Sequence, residues 1–185
     1  MGPGAVLNLS NAELARRASR LRWILLDVDG VMTDGRLTYS AEGEVLKNFH
    51  VRDGFGIRLA QRAGLGVGIL SGRGGPVLDR RARELDLDPI LTGQSDKAQA
   101  FESFLSEHGL EAEQVAYAGD DWMDLPVLNR CGFGCAPADA TAEVREHAHL
   151  VLATPGGYGA VREMVERILR PRGRWSDLLR PYLDG

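Results

Sequence analysis

Short, wholly apolar runs alternate along this chain with stretches whose apolar residues recur at helical spacing. The first run, Trp23-Ile24-Leu25-Leu26, stops abruptly on Asp27-Val28-Asp29-Gly30, as a buried strand does when it ends at a polar edge. Further runs lie at 65–70, 89–92, 115–118, 131–135 and 149–152. Between them, helical patterns fall near 53–63, 76–85, 96–108, 122–129, 141–147 and 159–170, after a lead-in helix at 11–20. This order predicts right-handed βαβ units. The fold class is therefore α/β, a Rossmann-like parallel sheet with helices on both faces. Residues 36–49 depart from it: Arg36–Ser40 and Glu44–Phe49 flank Glu42-Gly43 and read as a β-hairpin, a flap after the first strand.

A length of 185 residues suits one domain spanning 1–185, with the hairpin at 36–49 and a tail at 171–185. No apolar run approaches the roughly 18 residues that cross a bilayer, so no membrane partner is expected. A net charge of −4 argues against nucleic acid as a partner. Residues 1–20 lack the apolar core of a secretory signal, and a cytoplasmic location is expected. Cys131 and Cys135, four apart in a segment read as extended, would sit about 13 Å apart, too far for a disulfide. They read as plain strand residues. Of the 22 Lys and Arg residues, only Lys47 and Lys97 are lysine, which singles both out.

In parallel sheets of this kind, ligands bind beyond the carboxyl ends of the strands. Here that edge carries Asp27 and Asp29, then Ser71-Gly72-Arg73, then Gly119-Asp120-Asp121, with Asp124 one helical turn on. Gly30 lets the chain turn at the sheet edge, so that Asp27 and Asp29 share a pocket. Crowded carboxylates repel unless a hard cation neutralises them, and Mg²⁺ is the economical one. Asp121 and Asp124 serve equally well as helix caps. Ser71 and Gly72 offer a hydroxyl and backbone N–H groups to phosphate oxygens, and Lys97 a compact positive charge.

Together Asp27-Val28-Asp29-Gly30, Ser71-Gly72-Arg73, Lys97 and Gly119-Asp120-Asp121-x-x-Asp124 resemble the ordered motifs of the haloacid dehalogenase superfamily of phosphatases. DVDGVMTDG at 27–35, FHVRDGFGI at 49–57, AYAGDDWMDLP at 116–126 and GGYGAVRE at 156–163 resemble the 3-deoxy-D-manno-octulosonate 8-phosphate phosphatase family more narrowly. The resemblance implies a capless Mg²⁺-dependent phosphomonoester hydrolase. Asp27 would be the nucleophile and Asp29 the general acid and base, with Lys97 the third catalytic residue. The metal would be held by Asp27, the Asp29 backbone carbonyl and Asp120, with Asp121 and Asp124 in support. Ser71, Gly72 and Lys97 would bind the phosphoryl group, next to Gly30. Thr33, Arg52, Arg73 and Arg162 are candidates for the sugar acid, though Arg162 also fits a helix-surface ion pair. The resemblance further implies a homotetramer in which hairpin and tail cover a neighbour's site, and a place in lipopolysaccharide synthesis.

Two other readings stay open. A phosphatase for a nine-carbon, sialic-type sugar acid phosphate would share every motif. A non-catalytic oligomerisation domain, like those fused to sialic-acid-activating enzymes, would not need Asp27, Asp29, Lys97 and Asp120. A receiver-type phosphoacceptor would leave Asp29 superfluous.

Overall fold

The computed structural model describes residues 9–184; the reading that the first eight residues carry no leader lies outside them. The apolar run Trp23–Leu26 forms β1, and the hairpin consists of β2, Thr38–Ser40, and β3, Gly43–Leu46. The later runs give β4, Gly66–Leu70; β5, Ile90–Leu91; β6, Val115–Ala118; β7, Phe133–Ala136; and β8, Leu150–Val151. Apart from the antiparallel hairpin, these strands form one parallel sheet in the order β5-β4-β1-β6-β7-β8. The chain builds outward from β1 to β5 on one side, then returns to β6 on the other. That reversal makes β1 the switch point, beside which ligands of open α/β sheets bind.

Among the described residues, eight helices cover the sheet: α1, Asn11–Arg20; α2, Val51–Arg62; α3, Pro76–Glu84; α4, Lys97–His108; α5, Leu125–Leu128; α6, Ala142–His147; α7, Ala160–Leu169; and α8, Trp175–Leu179. Alternation along β1 sends Ile24 and Leu26 to one core, with Ala18, Ile57, Leu78 and Met164 of α1, α2, α3 and α7. Leu25 faces the other core, with Phe101, Val127 and Val144 of α4, α5 and α6. Helices thus lie on both faces. At about 25 cal/mol per Å² of apolar surface, the two cores are what hold the strand ends in place.

Between β1 and β4 the described chain holds only the hairpin and α2, and between β4 and α4 only α3 and β5. The fold is capless.

Two local expectations need correction. The helix expected at 122–129 is a 3₁₀ turn at Trp122–Asp124 followed by α5. Pro126 has no N–H to bond back to residue 122, so a continuous α-helix cannot run through it. Cys131 lies before β7 rather than in it, and only Cys135 is a strand residue; both are buried free thiols. The tail docks on its own chain, with Trp175 and Leu178 against the first core. Arg172 Nη1 donates to the carbonyls of Ala18 and Leu21, and Arg62 Nη1 to Tyr182 Oη at 2.6 Å.

Candidate active site

Parallel register brings the site together. Leu26 pairs with Ile69 on one side and Ala118 on the other, so the next residues along β1, β4 and β6 emerge at one edge. Asp27 N–H still donates to Ala118 carbonyl, at 3.0 Å, which keeps the backbone straight up to the first carboxylate. Beyond it the chain turns at Gly30, whose φ is +85°. A Cβ there would fall 2.0 Å from Asp120 Oδ2. Only glycine lets the β1 loop pass so close to the β6 carboxylate.

Asp27, Asp29, Ser71, Gly72, Arg73, Lys97, Asp120, Asp121 and Asp124, with Gly35 and Met123, line a cleft of about 330 Å³. Asp96 caps α4 by accepting from Gln99 N–H, which makes Lys97 the first helical residue. From there its Nζ lies 3.0 Å from Asp27 Oδ1 and 2.6 Å from Asp124 Oδ1. Asp124 is held on both oxygens: Tyr117 Oη donates to Oδ1 at 2.5 Å, and the N–H groups of Asp120 and Asp121 donate to Oδ2 at 2.9 and 3.2 Å. It therefore anchors both Lys97 and the 119–121 loop. Asp121 caps the 3₁₀ turn through Trp122 N–H.

The electrostatics are unbalanced towards negative charge. Carboxylate oxygens of Asp27, Asp120 and Asp124 lie within 4.8 Å of one another. Burial, then the neighbouring Asp124, push Asp27 up to about 6, against the opposing pull of Lys97. Burial, then Asp27 and Asp124, push Asp120 up to about 8. Lys97 loses some basicity to burial but gains more from Asp27 and Asp124, and ends above the ordinary lysine value. One ammonium among three carboxylates is too little positive charge.

A family model for haloacid dehalogenase-like hydrolases matches residues 81–163. A 3-deoxy-D-manno-octulosonate 8-phosphate phosphatase from Haemophilus influenzae is 42% identical over 163 residues, covering 88% of this chain and 91% of that one. The chain belongs to this phosphatase family. A cobalt-bound structure of the H. influenzae phosphatase superposes with a TM-score of 0.84 at 43% identity, covering 86% of this chain and 94% of that one. The Moraxella catarrhalis phosphatase, solved with magnesium, phosphate and 3-deoxy-D-manno-octulosonate (KDO), gives 0.89 at 33% identity, covering 92% of this chain and 98% of that one.

Not every residue singled out in this phosphatase reaches the cleft. Thr33 is buried and turned inward: its hydroxyl lies 3.4 Å from Val28 carbonyl and accepts from Gly35 N–H. Arg162 is committed to Glu166 at 2.8 Å and stacks between the rings of Phe55 and Trp175. That is the helix-surface ion pair rather than a ligand contact within this chain. With Arg52 it lines a separate cleft of about 440 Å³.

Two supports escaped the sequence. Lys47, from the hairpin, sits with its side chain 2% exposed against Asp29 Oδ1 and Glu44 Oε1, at 2.5 and 2.9 Å. Its scarcity as a lysine was the available signal. Arg73 joins the same group, 3.2 Å from Asp29, 3.1 Å from Glu44 and 2.8 Å from Tyr39 Oη. The second is the loop before α7. Gly157 N–H donates to Val31 carbonyl and Gly156 N–H to Asp139, and a Cβ on Gly156 would fall 1.8 Å from Gly30 carbonyl oxygen. The glycine-rich GGYG segment is thus the back wall of the Asp27–Gly30 turn, with no anion-binding role needed to explain it.

Proposed function

We propose that this chain hydrolyses 3-deoxy-D-manno-octulosonate 8-phosphate to the free sugar acid and inorganic phosphate, a step towards lipopolysaccharide. One observation carries the chemistry: Asp27 and Asp120, from separate strands, meet at one cleft beside a buried lysine. The near full-length likeness to named phosphatases carries the substrate.

The site fits a divalent ion. Both Asp124 oxygens are taken by Lys97, Tyr117 and backbone N–H groups, which leaves the Asp27 and Asp120 carboxylates to hold it; the family resemblance adds the Asp29 backbone carbonyl. When bound, Mg²⁺ would neutralise the phosphoryl oxygens and the surplus carboxylate charge.

The chain's own residues then divide the work. Asp27 attacks phosphorus, and its Oδ–P bond forms as the P–O bond to the sugar breaks. Asp29 gives a proton to the departing hydroxyl, then takes one from the water that displaces Asp27 from phosphorus. Lys97 holds Asp27 in line, while Ser71 and Gly72 receive phosphoryl oxygens. Arg73, already at the cleft, is placed to pair with the sugar carboxylate. Arg52 lines a separate cleft in its own chain, so we assign its part in sugar binding to an assembled form.

We read residues 1–185 as one domain and the molecule as a homotetramer. Tyr39, Val45 and Leu46 of the hairpin are each about half exposed, an apolar strand pair suited to a second copy. Two buried free thiols suit a reducing cytoplasm.

The deciding assay compares kcat/KM, with Mg²⁺, for the eight-carbon substrate and a nine-carbon sialic-type sugar acid phosphate. A preference of at least about tenfold for the former is expected, equivalent to ~1.4 kcal/mol. Equal values would overturn the narrower substrate, and no phosphate release from either would favour the non-catalytic reading.

The raised carboxylates make a separate prediction. Between pH 6.5 and 8, folded Asp120 and part of Asp27, at about 8 and 6, hold protons that the unfolded chain, near 3.8, has shed. Stability of the metal-free protein therefore falls as pH rises through that window. His149, pushed down by burial to about 4, acts in the opposite sense only below 6.5. A lower Tm at pH 8 than at 6.5 is expected without metal, with Mg²⁺ raising Tm more at pH 8. A metal-free Tm that rises across the window would contradict the crowded-carboxylate picture.

A further inference from the structure

We propose that Lys47 is a positioning residue for Asp29, and that through it the hairpin acts on the chemistry of its own chain's site. The proposal rests on the roles given above to Asp27 and Asp29.

An aspartate's terminal torsion is broad and nearly two-fold, so an untethered Asp29 would present either oxygen in a range of directions. Here the two oxygens differ. Oδ1 is held by Lys47 Nζ at 2.5 Å. Oδ2 is buried and receives no hydrogen bond; Arg73 Nε stands 3.2 Å away, close enough to pair in charge but off the hydrogen-bonding line. Asp29 lines the cleft, so the ammonium on Oδ1 fixes the carboxylate there in one orientation, with Oδ2 the oxygen free of hydrogen bonds.

Lys47 is itself fixed. Glu44, one turn of hairpin away, takes the ammonium at 2.9 Å and reaches Arg73 with its other oxygen at 3.1 Å. The choice of residue type points the same way. In a chain whose cations are otherwise arginine, both lysines are buried against cleft carboxylates, Lys97 on Asp27 and Lys47 on Asp29. A compact ammonium fits a closed space that a forked guanidinium would not. The hairpin, expected from the sequence to serve a neighbour's site, thus completes its own.

The test is stopped-flow turnover of p-nitrophenyl phosphate by wild-type, Lys47→Ala and Asp29→Asn proteins loaded with Mg²⁺. In the first step the Asp27 Oδ–P bond forms as the P–O(aryl) bond breaks, and nitrophenolate leaves with the electron pair and needs no proton. In the second, water oxygen bonds to phosphorus, its proton goes to Asp29, and the Asp27 carboxylate is released. Lys47→Ala should therefore give a nitrophenolate burst near one equivalent per site, then a steady state slower than wild type by about 10²-fold. With the sugar phosphate, kcat should fall while KM changes less than about threefold. Asp29→Asn should show the same burst.

A burst in Asp29→Asn with wild-type behaviour in Lys47→Ala would overturn the Lys47 assignment alone. So would loss of both burst and steady state in Lys47→Ala, which would mark the lysine as a strut for the hairpin. Absence of a burst in Asp29→Asn would overturn the underlying division of roles instead.

Discussion

Asp27→Asn is expected to fold as the wild type does and to lose turnover by at least about 10⁴-fold, the scale seen when an attacking group is removed. The amide is isosteric with the carboxylate and can still accept from Lys97, 3.0 Å away in the wild type. What it lacks is a nucleophilic anion. The substitution also removes one of the carboxylates crowded within 4.8 Å, so the metal-free variant should melt above the wild type at pH 8, where burial of Asp27 as an anion is most costly. Activity and melting temperature therefore move in opposite directions. Loss of turnover through general damage would move them together. Phosphate release by purified Asp27→Asn at wild-type rate would end the covalent mechanism, and mass spectrometry of wild-type protein quenched in acid should find a phosphoryl adduct on the peptide carrying residue 27.

Much of this arrangement can be read from one-dimensional pattern, because a parallel sheet converts pattern into place. Each apolar run from β1, β4 and β6 ends at a common edge, so the first one or two residues after a run also lie at the edge. Asp27, Ser71 and Asp120 were legible for that reason. Lys97 was legible because a helix capped at Asp96 begins where the sheet edge is.

The remainder depends on contacts that local spacing does not encode. Lys47 meets Asp29 only because the hairpin folds back over the β1 turn. Tyr117 reads as one more core residue of β6, yet its hydroxyl reaches Asp124. The inward rotation of Thr33 follows from the tightness of the loop at 28–35. Arg162 was open between a sugar carboxylate and a helix-surface ion pair, and spacing alone could not decide: Glu166 and two aromatic rings, one contributed by the tail, take it. The tail's own docking was open between a neighbour and its own domain, since amphipathic pattern gives a face without naming its partner.

Lys97→Ala should be the substitution that harms stability and catalysis together. Its side chain is 3% exposed, and its ammonium stands between Asp27 and Asp124, 3.4 Å from Tyr117 Oη. Removing it strands two buried carboxylates. Breaking a buried pair from one side costs about 3–5 kcal/mol, because the surviving charge keeps its desolvation penalty and loses its partner. Two survivors make the upper end of that range the expectation for the metal-free protein at pH 8. Asp124 loses its cation but keeps Tyr117 and two backbone donors, so the 119–121 loop should persist, and the variant should remain folded with a lowered Tm. Mg²⁺ should restore part of the stability, through Asp27, but not the rate: nothing else in the cleft holds the nucleophile from the α4 side, and kcat should stay about 10²–10⁴-fold down. Melting curves with and without Mg²⁺ alongside kcat separate these effects. A Lys97→Ala protein as stable as the wild type without metal would show that the carboxylates around residue 97 are not charged in the way the geometry requires.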